Sequence, residues 1–342
     1  MPHFDLKSET ELESRLTQPS SADIAAVIQW SGDVLILGAG GKMGPTLAVR
    51  MKRAFQEAGL KHRVIAVVRK DSKGIYAPHK DGIDLIETDL LDPASYAKLP
   101  DAENVVFMAG RKFGSVNDQP LTWATNVWTA ALSAERFHNS RIVAFSTGNV
   151  YPFMPAKGPG ATEEVLAAPT GEYAQSALGR ERLFEYFSNA YAIPTLICRL
   201  NYAVDLRYGV LVDIGQKVLD GRPVDLTTGY ANVIWQGDAN SYCIRSFALC
   251  TSPARLLNVT GQKTISVREV AEGFGKRFGK RPVFAGTEAP TALLSDSSLC
   301  TRLLGASEIS EDELFEMTAH WLLQGGVTLG KPTKFEARDG QF

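Results

Sequence analysis

The stretch DVLILGAGGKMGPTLAVR, residues 33–50, limits the fold more than any other part of the chain. Its first half is a Val/Ile/Leu run with no polar alternation. Strands buried on both faces of a parallel sheet read this way. The run passes directly into Gly38-x-x-Gly41-x-x-Gly44, and Pro45 then opens a helical stretch. Glycines let such a turn close and let the backbone approach a pyrophosphate, while the helix start offers free N–H groups and its positive dipole end. A proline just inside the helix has no N–H to lose. A bare glycine pattern also occurs in structural turns; a strand before it and a helix after it point to a dinucleotide-phosphate loop. Gly38, Gly41, Lys42, Met43 and Gly44 are therefore expected at the cofactor.

The same grammar repeats downstream. RVIAVV (63–68), IDLIETD (83–89), NVVFMAG (104–110), RIVAFST (141–147) and PTLICRL (194–200) are short apolar runs separated by helical stretches such as 44–58, 120–138 and 172–190. Alternating β and α predicts an α/β fold with a doubly wound parallel sheet of the Rossmann type. Beyond residue 200 the pattern loosens. A smaller C-terminal substrate lobe is expected from 201–232 and 262–325, with 233–261 returning to the sheet domain (33–200). Residues 1–32 read as an added N-terminal segment of two short helices, the first capped by Ser8 with Glu11. That segment serves packing or a subunit contact, which leaves a homodimer open. Residues 326–342 lack periodicity and read as an extended tail.

Charge and cysteine usage exclude several classes. The 342 residues carry 36 Lys+Arg against 38 Asp+Glu, a net charge of −2, so no basic footprint argues for nucleic acid. The four cysteines form no CxxC and read as reduced thiols; the five histidines are scattered without ligand spacing, so no metal is expected. The N-terminus MPHFDLKSETELESRL has no apolar signal region, and no run reaches the roughly 18 apolar residues of a membrane span. A cytoplasmic protein with a small-molecule substrate is expected.

The second strand of a dinucleotide fold normally ends on an acid that binds the adenosine ribose. Here it ends VVRKDS: Val68 stands in the acidic position, followed by Arg69 and Lys70. A guanidinium pairs with a 2′-phosphate where a carboxylate repels it, so the strand end favours NADP over NAD. Asp71 is an alternative ribose contact. Asp89 and Leu90, after the third strand, fit an adenine-edge contact.

With Ala109-Gly110 after the fourth strand, Asn126 in ATNVWTA, FSTGNVY (145–151) after the fifth, and Tyr173 in EYAQSALGRE, the chain resembles the extended short-chain dehydrogenases, the NAD-dependent epimerase/dehydratase type, over roughly residues 33–325. The resemblance implies a nicotinamide cofactor, contacts from Ala109, Gly110 and Asn126, and a Ser/Thr, Tyr and Lys acting together. Thr147 and Tyr173 match the first two. The lysine position is Ala177. A free tyrosine has a pKa of about 10, and bringing one to about 7 takes roughly 4 kcal/mol. A lysine at i+4 is well placed to supply part of that; alanine is not. Replacement cations are Arg111 and Lys112, at the carboxyl end of the fourth strand where ligands of such sheets bind, then Arg180 at i+7 and Lys157 in YPFMPAKGPG. Arg207, Tyr208, Trp235 and Asp238 are candidates to line the substrate lobe. Three functions follow: an NAD(P)-dependent oxidoreductase or epimerase of a sugar-like or polyol substrate, with Thr147, Tyr173 and Arg111 or Lys112 catalytic; a lyase or isomerase using Arg111 or Lys112 as electrophile; or a non-catalytic NAD(P)-binding sensor or scaffold.

Overall fold

The structure is a computed structural model that describes residues 6–70, 76 and 82–342. Asp71 lies outside the described residues. Seven strands form one fully parallel sheet: β1 Val34–Leu37, β2 Val64–Val68, β3 Ile83–Glu87, β4 Asn104–Phe107, β5 Arg141–Thr147, β6 Thr195–Leu200 and β7 Arg255–Val259. Their spatial order is β7-β6-β5-β4-β1-β2-β3, with all pairings parallel. The order reverses direction between β1 and β4, so the crevice outside their carboxyl ends is the switch point where such sheets bind ligands. All residues of β1, β2 and β4 are buried, as expected of strands covered by helices on both faces.

On one face, α2 Ser21–Ile28, α3 Gly44–Glu57 and the helix Gln236–Ser246 cover a core in which Trp30 meets Phe55 and Phe247 at ring separations of 5.7 and 4.5 Å. On the other, Phe107, Phe137 and Phe184 pack beneath the helices flanking β4 and β5. A third core belongs to the lobe: the helices Val210–Leu219, Val267–Phe278 and Glu311–Leu323 enclose Phe274 and Trp321, with Leu12 and Leu16 of α1 (Glu9–Thr17) joining them. Among the described residues, no helix is long and apolar enough to cross a membrane.

The N-terminal segment folds as two capped helices. Ser8 accepts the Glu11 N–H, and Ser20 with Asp23 forms a reciprocal capping box on α2. Asp23 is also wholly buried against Arg50 of α3, at 2.6 Å, and accepts the Ser241 hydroxyl at 2.6 Å. A charge buried this completely needs such partners, so the added helices are bolted to the sheet domain.

Between β4 and β5 the chain runs helical from Gln119–Trp123 through a π-helical turn, Ala124–Trp128, into Thr129–Arg136. Such turns are often found at functional sites, and this one holds the buried Asn126. The sequence reading takes this region as one plain helix, because a single inserted residue leaves no mark in the apolar periodicity.

Candidate active site

The three glycines of the motif have three different jobs. Gly38 adopts φ +81°, and a Cβ there would lie 2.5 Å from the Ala109 backbone, so it lets β1 and β4 close up at the switch point. A Cβ on Gly44 would sit 2.0 Å from the Ala39 carbonyl oxygen, so this glycine seats α3 on the loop. Gly41 has nothing nearer than the Gly38 oxygen at 3.9 Å and faces open space. That open space is the room a pyrophosphate needs against bare backbone.

A groove of about 600 Å³ opens there, lined by Gly38, Gly41, Arg69, Asp89, Leu90, Ala109, Gly110, Arg111 and Lys112 among others. Its size suits a dinucleotide, whose sites run to several hundred Å³. Arg111 Nε is buried without a hydrogen-bond partner among the described residues, a donor awaiting an acceptor. Lys42 and Met43, expected at the cofactor, turn their side chains elsewhere. The Lys42 ammonium donates to the Ala203 carbonyl at 3.0 Å and sits 4.6 Å from the Tyr208 ring centre; burial pulls its pKa down to about 8, against the attraction of Asp205. Met43 packs on the core. Only their backbone is left for the loop.

Asn126, also expected among the cofactor contacts, is wholly buried one layer below the groove. Its oxygen accepts the Arg111 backbone N–H at 2.7 Å and the Arg180 guanidinium at 3.0 Å; its amide donates to the Arg111 carbonyl at 3.1 Å and the Ser176 hydroxyl at 2.8 Å. It braces the loop that carries Arg111 and Lys112. Arg180 is buried behind the same loop, donating also to the carbonyls of Phe145 and Asn126, so it braces too rather than reaching open space. Burial lowers its pKa.

Beside the groove lies a second cavity of about 140 Å³, lined by Lys112, Thr147, Asn149, Asn201, Tyr202, Tyr208 and Thr333 among others. Lys112 lines both spaces. Its ammonium lies 4.2, 5.6 and 5.9 Å from the ring centres of Phe342, Phe113 and Tyr173. Among the described residues no carboxylate pairs with it. Burial, helped by the like charge of Lys334, brings its pKa down to about 8. Thr147 ends β5, lines the cavity and bonds Asn149: its hydroxyl donates to the side-chain oxygen at 3.1 Å and accepts the backbone N–H at 3.2 Å. Burial pushes the Tyr208 phenol up to about 12 and the Tyr202 phenol further.

Tyr173 does not itself line the cavity. Its ring meets Phe342 edge-on at 5.6 Å and 81°, and the Lys112 ammonium approaches both rings. The helix that carries it, Gly171–Tyr191, is anchored by Glu181, which is wholly buried, accepts the Ser146 hydroxyl and pairs with Arg199 at 2.6 Å. Ala177 is fully buried in a small apolar cluster with Val150, Tyr151 and Ala161. Of the remaining sequence candidates, Arg207 is held by Asp205 and Glu13, Trp235 and Asp238 are buried in the interior, and Lys157 is exposed. Asp238 accepts the Ile309 N–H. Tyr202, Asn149, Thr333 and Phe342 escape the sequence reading. Thr333 and Phe342 belong to an aperiodic tail that carries no motif at all.

A model of the NAD dependent epimerase/dehydratase family matches residues 34–204. Among solved structures, UDP-glucuronic acid 4-epimerase from Bacillus cereus, in complex with UDP-glucuronic acid and NAD, is similar at TM-score 0.71 and 17% identity, over 85% of this chain and 99% of that one. A dTDP-glucose 4,6-dehydratase from Bacillus anthracis, in complex with NAD, reaches TM-score 0.72 at 15% identity, over 86% of this chain and 97% of its own. An epimerase from Methanothermobacter thermautotrophicus reaches 0.73 at 18%, over 89% and 96%. At such identities the likeness speaks for the fold alone. No curated protein is significantly similar in sequence.

Proposed function

The chain belongs to the NAD dependent epimerase/dehydratase family, and from that premise we propose that it is an NAD(P)-dependent oxidoreductase or epimerase of a sugar-like or polyol substrate, with Lys112 in the part of the absent helical lysine. The observation that carries this reading is the position of Lys112 in the walls of both the 600 Å³ groove and the 140 Å³ cavity. Any reaction between a molecule in one space and a molecule in the other happens beside it.

Gly38, Gly41 and the start of α3 would hold the pyrophosphate, Asp89 and Leu90 the adenine end, and Arg69, in the groove wall, a 2′-phosphate. The bound dinucleotide supplies the capacity to accept or donate a hydride. The chain handles the proton. Thr147 hydrogen-bonds the reacting oxygen, Tyr173 exchanges its proton, and the Lys112 ammonium favours the phenolate electrostatically.

A second assignment has an observation of its own. Tyr173 does not line the cavity, whereas Lys112 does, with a pKa lowered to about 8 by burial. A lysine so shifted is itself a competent acid/base. The pH dependence separates the two. An ammonium that assists the phenol is lost as pH rises through about 8, and oxidation then falls. A neutral amine that takes the proton is gained over the same interval, and oxidation rises.

The test is steady-state oxidation of a polyol and sugar-acid panel with NADP and NAD. Lys112→Ala should lower kcat/KM about 10²–10⁴-fold, the usual worth of an acid/base group, while dinucleotide affinity measured by calorimetry stays within a few-fold. Wild-type rates surviving in Lys112→Ala would overturn the reading, as would absence of dinucleotide binding.

A further inference from the structure

Residues 331–342, which follow the last helix, do not hang free. Thr333 donates its N–H to Asp213 at 2.8 Å and its hydroxyl to the same carboxylate oxygen at 2.5 Å. Phe335 is buried in the lobe core. Glu336 pairs with Lys217. Arg338 donates twice to Thr291, at 2.7 Å each, and lies over the Phe153 ring. Gly340, at φ +73°, packs backbone to backbone on Gly171, so that a Cβ on it would fall 2.4 Å from the Thr170 oxygen. Phe342 then reaches Tyr173 and Lys112, and its carbonyl accepts the Gly114 N–H at 3.1 Å.

This strap is also a partition. Thr333 faces the 140 Å³ cavity, while its neighbours Pro332 and Lys334 face another space of about 340 Å³. Tyr208 borders both. The outer space is lined by Arg207, Lys217, Arg222, Lys331 and Lys334, against Asp213 and Glu336. The chain bends at Lys334, where φ is +54°, and with Thr333 on the inner space and Pro332 and Lys334 on the outer, basic one, this segment separates the two. The inner compartment has less than a quarter of the volume of the dinucleotide groove, below the range of about 300–1,000 Å³ typical of sites for drug-sized ligands.

We propose that the strap 331–342 is the specificity element of this site: it restricts the substrate to a compact polyhydroxy compound not joined to a nucleotide, and a diphosphate-linked sugar enters only when the strap is displaced. The proposal rests on reading the 140 Å³ cavity as the substrate site. It departs from the epimerase from Bacillus cereus, which is bound to UDP-glucuronic acid in its structure.

The test compares the intact chain with a released variant, Thr333→Gly/Glu336→Ala/Gly340→Val, which loosens three anchors and keeps Phe335 in its core. UDP-glucuronic acid is titrated calorimetrically into each, with and without NADP. The released protein should bind it at least tenfold more tightly than the intact chain. Equal affinity in the two proteins, or binding to neither, would overturn the proposal. If the triple variant does not fold, Thr333→Gly alone is read by the same ratio. Failure of the intact chain to bind any dinucleotide counts against the proposed function and leaves the ratio for UDP-glucuronic acid to decide the strap.

Discussion

Lys112 draws its character from what surrounds it rather than from its neighbours in sequence. Three aromatic rings and the like charge of Lys334 surround its ammonium, and burial costs the charged form more than the neutral one. Its replacement by arginine, which keeps the charge at all working pH, should remove any limb near pH 8 from the kcat/KM profile. A limb unchanged in Lys112→Arg would assign that titration to another group. Arg69 makes a second prediction at this scale. If its guanidinium binds a 2′-phosphate, Arg69→Ala should weaken NADP roughly 10–100-fold, the worth of a hydrogen bond to a charged group, and leave NAD within a few-fold. Equal losses for both coenzymes would show that Arg69 does not read the phosphate. The sequence VVRKDS suffices to pose that question, because strand ends are local features. The resemblance puts Asn126 among the cofactor contacts, whereas its four hydrogen bonds reach Arg111, Ser176 and Arg180; a side chain that binds inward looks the same in sequence as one that binds outward.

Secondary-structure elements were the most legible level. Each of the six apolar runs named from the sequence contains a strand of the parallel sheet: burial on both faces forces the interior strands to be apolar, while β3, at the sheet edge, keeps Asp84 and Glu87 exposed. The phosphate loop is equally local. Gly38→Ala would place a methyl 2.5 Å from the Ala109 backbone, at a positive φ that disfavours L side chains. The expected outcome is loss of dinucleotide binding by calorimetry, since β1 and β4 must separate to admit the methyl. Gly41→Ala, with open space around it, should fold normally and lose affinity only by crowding the groove. The π-helical turn at Ala124–Trp128 was not legible. It adds one residue to a helix whose two flanks keep their own periodicity, and only packing against the Arg111 loop gives that residue a purpose.

The whole molecule is tied together by contacts remote in sequence. Asp23 of the added helices pairs with Arg50 and bonds Ser241 with no exposure. Asp23→Ala should therefore cost about 3–5 kcal/mol in urea unfolding, the usual result of stranding a buried charge; a cost below about 1 kcal/mol would mean that Arg50 finds another partner. The strap belongs to the same scale, since Gly340 meets Gly171 and Phe342 meets Tyr173 and Lys112 only once lobe and sheet are assembled. By itself the sequence determined the sheet, the glycine turn and the crevice at its switch point, because apolar runs and glycines act on the backbone within a few residues. Which side chains approach the Tyr173 ring, what lies beneath the loop and how large the inner cavity is were decided by the tertiary structure. Those properties depend on the distance and burial of side chains that the chain brings together only when it is folded.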